Sequence, residues 1–247
     1  MANLPGEHII DDKVWVVKTH SPWCMTQAVP FKCNKILFIV RNPCDAFMSW
    51  LELVQNGNHS TKCKYEIEKE YPNYWNEWVE DITDIYGRFF DVYLKDINTR
   101  EAPMLFVRFE DLLMNPEPEL RNIMRFMLGV NDISGTNAER RVNEVIAMGH
   151  KATQSTYKIK NTTLKLNAQG KRYNEKQQDL IKNRLAEFIH VFGYAKHPSM
   201  PENPTGFFEY PAEHPMQKKF NSFKDINENM IEWAAALSEE DMENIQY

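Results

Sequence analysis

Two short apolar runs rich in β-branched residues stand out in the first fifty positions of the chain. They are Val14–Val17 and Ile36–Val40, and polar residues bound both of them. Runs of this length and composition are typical of strands. A third, mostly apolar segment, Met104–Phe109, follows much later and is also predicted to be a strand. The pattern therefore predicts three strands separated by long connections.

Elsewhere, apolar residues recur every three or four positions, which is the spacing of an amphipathic helix. One helix is predicted to begin at Asn42, because Asn caps helices and the following Pro43 suits the first helical position. Gly129 is expected to end another helix. That helix is predicted over Glu119–Leu128, and three further helices are predicted over Tyr74–Leu94, 138–148 and 175–192.

Strands that alternate with helices are typical of an α/β fold, in which a mostly parallel sheet is flanked by helices. We assign residues 1–197 to this domain. Beyond it, five prolines interrupt any regular element before one last amphipathic stretch. Residues 198–247 are therefore predicted to be a proline-rich linker and a helical appendage, which wraps the domain or contacts a partner.

Composition narrows the classes of function. The net charge of −6 argues against nucleic acid as a partner, because broad binding of nucleic acid needs a basic face. The longest apolar run is far shorter than the roughly 20 residues that a membrane span needs. The four cysteines match neither a zinc spacing nor a disulfide framework, and no signal peptide is readable. We therefore predict reduced thiols and a cytoplasmic protein without a membrane span.

Polar side chains cluster where the predicted strands end, and ligands of open parallel sheets bind there. Arg41 ends the second strand, and Ser49 lies about two turns into the next helix. A guanidinium, a hydroxyl and a helix N-terminus together suit a phosphate group. After the first strand, His20 could take a proton from an attacking hydroxyl, and Lys18 on the same strand face could stabilise charge on a bridging oxygen. The acidic pair that follows Phe109 is expected at the same crevice.

Each of these residues also has an ordinary structural interpretation. A histidine such as His20 is more often a loop residue bonded to the backbone. Arg41 alone could form a surface ion pair, and Ser49 alone could lie on a helix surface. Their combination favours an anion site. The sequence contains no cluster with metal-ligand spacing, so no metal is predicted.

Three segments in order resemble the sulfotransferase family. "KTHSP", Lys18–Pro22, matches its K-T-H-x-P segment, and "VRNPCDAFMS", Val40–Ser49, resembles the segment that binds a nucleotide 3′-phosphate. "FVRFEDLLMNPEPELRNIMRFMLGV" is similar to a strand-and-helix stretch of that family, with Phe109 where tyrosine is common. The likeness extends over residues 14–194.

The resemblance implies a P-loop-NTPase-like sulfotransferase fold. It also implies transfer of a sulfuryl group from 3′-phosphoadenosine 5′-phosphosulfate (PAPS) to a hydroxyl or amine acceptor, a small molecule or a carbohydrate. By that likeness His20 is the catalytic base, and Lys18 assists at the leaving phosphate oxygen. Arg41 and Ser49 hold the 3′-phosphate of the nucleotide.

Two features of the family are altered or missing. Its late basic segment, which also grips the 3′-phosphate, has its nearest match in "QGKRY", where Lys171 and Arg172 would be the contacts. A solvated loop is the other interpretation of these two cations. The family's P-K-S-G-T-T-like loop, which holds the 5′-phosphosulfate, has no match. The domain is therefore expected to be N-terminally incomplete and to lack the first strand, loop and helix of the fold. Two other interpretations are that another segment supplies the loop or that catalysis is impaired.

Two alternatives to an active sulfotransferase stay open. One is a non-catalytic relative that acts as a nucleotide- or protein-binding module, with a partner contact through the C-terminal segment. The other is a phosphoryl-transfer enzyme, which ranks lower because the sequence contains no G-x-x-x-x-G-K-[ST] loop.

Overall fold

The computed structural model describes residues 15–18, 33–57, 65–95, 102–148, 166, 168–196, 208–209 and 223–238. The strands within these residues are β1 (Ile36–Val40), β2 (Met104–Arg108), β3 (Ala195–Lys196) and β4 (Phe208–Glu209). The helices are α1 (Pro43–Asn56), α2 (Ile67–Glu70), α3 (Pro72–Lys95), α4 (Phe109–Met114), α5 (Pro116–Leu128), α6 (Asn137–Met148), α7 (Glu175–Arg184), α8 (Ala186–Val191) and α9 (Phe223–Ala236).

The β1 and β2 strands pair in parallel, in a register that sets Ile36 opposite Met104 and Val40 opposite Arg108. Helices α1 to α3 make the long connection that a parallel pair requires. A parallel sheet with flanking helices was predicted, and an α/β arrangement of this kind is observed in the described part of the chain. The strand predicted to start at Val14 is wrong where the structure describes it, since residues 15–17 have no regular secondary structure.

The main core lies on one face of the β1–β2 pair and is built largely from aromatic rings. The ring centroids of Phe38 on β1 and Phe106 on β2 are 5.6 Å apart. Phe90 of α3 packs on Phe188 of α8 with centroids 4.2 Å apart. Burial of each such side chain contributes about 1.5–3 kcal/mol, so the aromatic stripe of α3 is what fixes this helix against the sheet.

The other face of β2 packs against α5 and α9. Leu105 and Val107 of β2 join Phe126 of α5 and apolar residues of α9 in a second buried cluster. Asn227 of α9 also bonds the backbone of Phe106: its Oδ1 accepts from the N–H at 2.8 Å, and its Nδ2 donates to the carbonyl at 2.6 Å. Helix α9, the described part of the predicted C-terminal appendage, therefore packs on β2 and α5 and bonds the outer edge of β2.

Local signals placed most helix ends correctly. Pro43 begins α1, and the Asn42 side chain caps it by accepting from the N–H of Cys44. Gly129, in the left-handed conformation with φ of 66°, ends α5 as predicted. The helix predicted over 175–192 is interrupted at Leu185, where α7 stops and α8 begins. Among the helices that the structure describes, none is long and apolar enough to cross a membrane.

Candidate anion-binding site at the ends of the parallel strands

Arg41 stands at the carboxyl end of β1, between the strand and α1. Its side chain is half-buried, and its guanidinium carbon lies 4.6 Å from the centroid of the Phe109 ring at the end of β2. A guanidinium over an aromatic face is attracted by the ring's quadrupole. Within the described residues, no carboxylate pairs with this guanidinium. The structure therefore holds a cation in place and leaves its hydrogen-bonding edge available for an anion.

The peptide unit that follows Arg41 is held by hydrogen bonds with side chains on both sides. Its carbonyl accepts a hydrogen bond from the Tyr86 hydroxyl at 3.0 Å, and its N–H, which belongs to Asn42, donates to Oε1 of Glu110 at 2.8 Å. The other carboxylate oxygen of Glu110 accepts from the Tyr194 hydroxyl at 2.8 Å. We call Tyr86, Glu110 and Tyr194 the peptide clamp. It fixes the backbone at the point where β1 turns into α1.

Electrostatics keep the two hydroxyls of the peptide clamp protonated. Burial, and then the negative charge of Glu110, raises the pKa of Tyr86 above its ordinary value. The same two causes, in the same order, raise the pKa of Tyr194. Both phenols therefore remain hydrogen-bond donors throughout the physiological pH range.

The N-terminus of α1 is largely satisfied by its own residues. Pro43 has no N–H, and the N–H of Cys44 donates to Oδ1 of Asn42 at 2.9 Å. The buried carboxylate of Asp45 lies in the first turn, where it complements the helix dipole. The side chain of Arg41, more than the helix amides, is therefore the group that can attract a phosphate here.

The segment that contains "QGKRY" docks on this same end of α1. The N–H of Gln169 donates to Oδ1 of Asp45 at 3.1 Å, and the Tyr173 hydroxyl donates to the carbonyl of Cys44 at 3.0 Å. Ser49 lies four residues after Asp45, so both occupy the same helix face. The structure thus brings a late segment of the chain beside the helix that follows Arg41.

The two cations of this segment differ in their surroundings. Arg172 forms a salt bridge with Glu68 of α2, with its Nε 2.8 Å from Oε1. Burial acts to raise the pKa of Glu68, but hydrogen bonds and charge from Arg172 outweigh it and lower that pKa. Lys171 is exposed and makes no ion pair among the described residues. Lys171 is therefore the cation of this segment that can reach a ligand without breaking a salt bridge.

A family model of the sulfotransferase domain matches residues 11–187 of the chain. The chain belongs to the sulfotransferase family. The match confirms the resemblance drawn from the three sequence segments, and it includes the Arg41 turn and the "QGKRY" segment. The comparison with solved structures found no match.

The two residues predicted for proton transfer and charge stabilisation in this sulfotransferase are described only in part. Lys18 is exposed and lies outside regular secondary structure. His20 lies outside the described residues, so its distance from Arg41 is not defined and both catalytic roles stay predictions. Within the ranges described above, no three or more His, Cys, Asp or Glu side chains are grouped as metal ligands.

Sequence reasoning placed the acidic pair after Phe109 in the ligand crevice of the sulfotransferase, and that prediction is wrong. Glu110 is fully buried in the peptide clamp. Asp111 is also buried, and it pairs with Arg108 at 2.6 and 2.7 Å. The clamp tyrosines were missed. A tyrosine among apolar residues expected to be buried was the signal that could have indicated them. A buried hydroxyl needs a hydrogen-bond partner.

Proposed function

We propose that this sulfotransferase transfers a sulfuryl group from PAPS to a hydroxyl or amine of a small-molecule or carbohydrate acceptor. The observation that carries the proposal is the half-buried guanidinium of Arg41, which rests on Phe109 and has no carboxylate partner in the described part of the chain. A guanidinium can donate two parallel hydrogen bonds to a phosphate group. Arg41 would accordingly hold the 3′-phosphate of the nucleotide, with Ser49 and Lys171 as additional contacts.

The chemistry divides between the donor and the protein. When bound, PAPS supplies the sulfuryl group and a phosphate leaving group. Arg41 and its neighbours orient the nucleotide, and orientation alone can lower a barrier by several kcal/mol. His20 removes the proton of the acceptor, and Lys18 stabilises negative charge on the leaving oxygen. Arg172, which is committed to Glu68, has a structural role in this scheme.

The nucleotide site can be tested apart from catalysis. The measurement is calorimetric binding of 3′,5′-adenosine bisphosphate to the full chain and to Arg41→Ala. Arg41→Ala removes charged hydrogen bonds worth about 1.5–3 kcal/mol, so the dissociation constant should rise roughly 10- to 100-fold. 5′-AMP, which has no 3′-phosphate, serves as the matched ligand, and its affinity should not respond to the substitution. Arg140→Ala, on the exposed face of α6, controls for loss of a positive charge.

Turnover is the second measurement. His20→Ala should lower the rate of sulfuryl transfer by a factor of about 100 to 10,000 and leave nucleotide affinity unchanged. Tight nucleotide binding without any turnover in the wild-type chain would favour the non-catalytic relative. Absence of binding at millimolar 3′,5′-adenosine bisphosphate would reject the nucleotide site itself.

A further inference from the structure

We infer that Glu110 is a positioning residue, which acts through the peptide clamp to set the direction in which Arg41 presents its guanidinium. The inference rests on the proposed role of Arg41 as the phosphate contact. It assigns a part in ligand affinity to a fully buried carboxylate that does not itself contact the ligand.

The position of the clamped peptide unit gives Glu110 this influence. The Arg41 carbonyl and the Asn42 N–H belong to one planar group, and rotation of that plane moves the Cα substituents on both of its sides. On one side is the Arg41 side chain, and on the other is the capped first turn of α1. Hydrogen bonds from Tyr86 to the carbonyl and from the N–H to Glu110 oppose this rotation from opposite edges of the plane.

The same turn of chain supports the guanidinium as well. Phe109, which lies under the Arg41 guanidinium, directly precedes Glu110 at the start of α4. A displacement of Glu110 therefore moves both the ring beneath the guanidinium and the bond to the peptide unit. Tyr194 anchors the carboxylate from behind, through its 2.8 Å hydrogen bond.

Asp111 provides a contrast within the same helix. It is also buried, but a bidentate pair with Arg108 satisfies its charge. Glu110 forms no ion pair among the described residues. Its two carboxylate oxygens accept hydrogen bonds, one from a peptide N–H and the other from a phenol. The ion pair of Asp111 is the arrangement expected for a carboxylate that only stabilises the fold. The hydrogen bonds of Glu110 instead restrain one particular peptide unit.

The test measures the affinity of the full chain for 3′,5′-adenosine bisphosphate, alongside urea unfolding of each variant. Glu110→Ala should weaken binding by about tenfold or more, the size expected for strongly coupled neighbours. Glu110→Gln should restore affinity to within about threefold, because its amide can accept from Asn42 and donate to Tyr194. Asp111→Asn, the matched control, should lower stability and leave affinity within about threefold of the wild type.

A double-mutant cycle separates positioning from general structural damage. In the Arg41→Ala background, Glu110→Ala should cause no further loss of affinity, because the group that it positions is gone. An equal loss in both backgrounds, or wild-type affinity in a folded Glu110→Ala protein, would overturn the inference. If Glu110→Ala does not fold, Tyr86→Phe removes only the hydroxyl at the opposite edge of the peptide. Unchanged affinity in that variant would overturn the inference equally well.

Failure of the proposed function gives a different result. In that case the wild-type chain itself does not bind 3′,5′-adenosine bisphosphate, and the inference fails together with the site. The inference alone fails if the wild type binds the nucleotide and Arg41→Ala weakens that binding, but Glu110→Ala leaves it unchanged.

Discussion

Replacement of Asn227 by alanine tests whether α9 seals the outer edge of β2. The Asn227 side chain accepts from the Phe106 N–H and donates to the Phe106 carbonyl, at 2.8 and 2.6 Å. A strand edge without such partners carries a peptide donor and a peptide acceptor that only water can satisfy. The substitution therefore removes two hydrogen bonds at once, at a residue whose own side chain is fully buried.

The expected loss of stability follows from these two groups. Each buried peptide group left without a partner costs about 1–3 kcal/mol. Asn227 is only half-buried, so water can reach part of the exposed edge, and the lower half of that range applies, for a total of about 2–4 kcal/mol. Alanine is a better helix former than asparagine by roughly 0.5 kcal/mol, and this difference offsets a small part of the lost stability. The free energy of unfolding should fall by about 1.5–3.5 kcal/mol.

Asn229 offers a matched control on the same helix. It is exposed and makes no hydrogen bond within the described part of the chain. The free energy of unfolding of Asn229→Ala should rise only by the small difference in helix propensity between alanine and asparagine. The assay is urea unfolding followed by far-ultraviolet circular dichroism. Destabilisation of Asn227→Ala by less than about 0.5 kcal/mol relative to Asn229→Ala would refute the reasoning, as would unaltered hydrogen exchange at the Phe106 amide.

Three further predictions concern other contacts. A methyl group at Gly87 would overlap the Arg184 guanidinium, so the flexible Arg184 side chain must move away from Asp84 and Asp91 to admit it. In urea unfolding, Gly87→Ala should therefore give less than the usual gain of about 1 kcal/mol in the wild-type background and the full gain in an Arg184→Ala background; equal gains in both backgrounds would contradict the overlap. Because Arg172 lowers the pKa of Glu68, their pair contributes stability above the unfolded carboxyl pKa of about 4.3 and loses it as pH falls through the folded value. Glu68→Gln should therefore destabilise the protein at pH 7 and much less at pH 3. Burial raises the pKa of the Cys44 thiol, so this thiol should react with a disulfide reagent only after unfolding, and early reaction would contradict its buried position.

The sequence predicted those parts of the site that depend on neighbouring residues. Asn42 and Pro43 carry a complete local signal for a helix start, and α1 begins where that signal lies. The same local reading put Arg41 at the tip of a strand. These predictions succeeded because capping and strand propensity depend on a few adjacent positions.

Contacts between distant segments could not be predicted in this way. The Tyr194 hydroxyl meets Glu110 across 84 positions, and Gln169 meets Asp45 across 124. Nothing in the local pattern around either residue encodes its partner. Residues 15–17 of the predicted strand at Val14 also do not form one, because β propensity depends on packing context as well as on composition.

The covering of β2 by α9 has a consequence for biosynthesis. Asn227 follows Phe106 by 121 positions, so a ribosome that has already released β2 must add the greater part of the remaining chain before that helix exists. Until then the growing polypeptide presents an open strand edge, which is a template for association with other chains. A product terminated before position 223 would retain the Arg41 turn and the "QGKRY" segment, but its open strand edge should make it prone to aggregate.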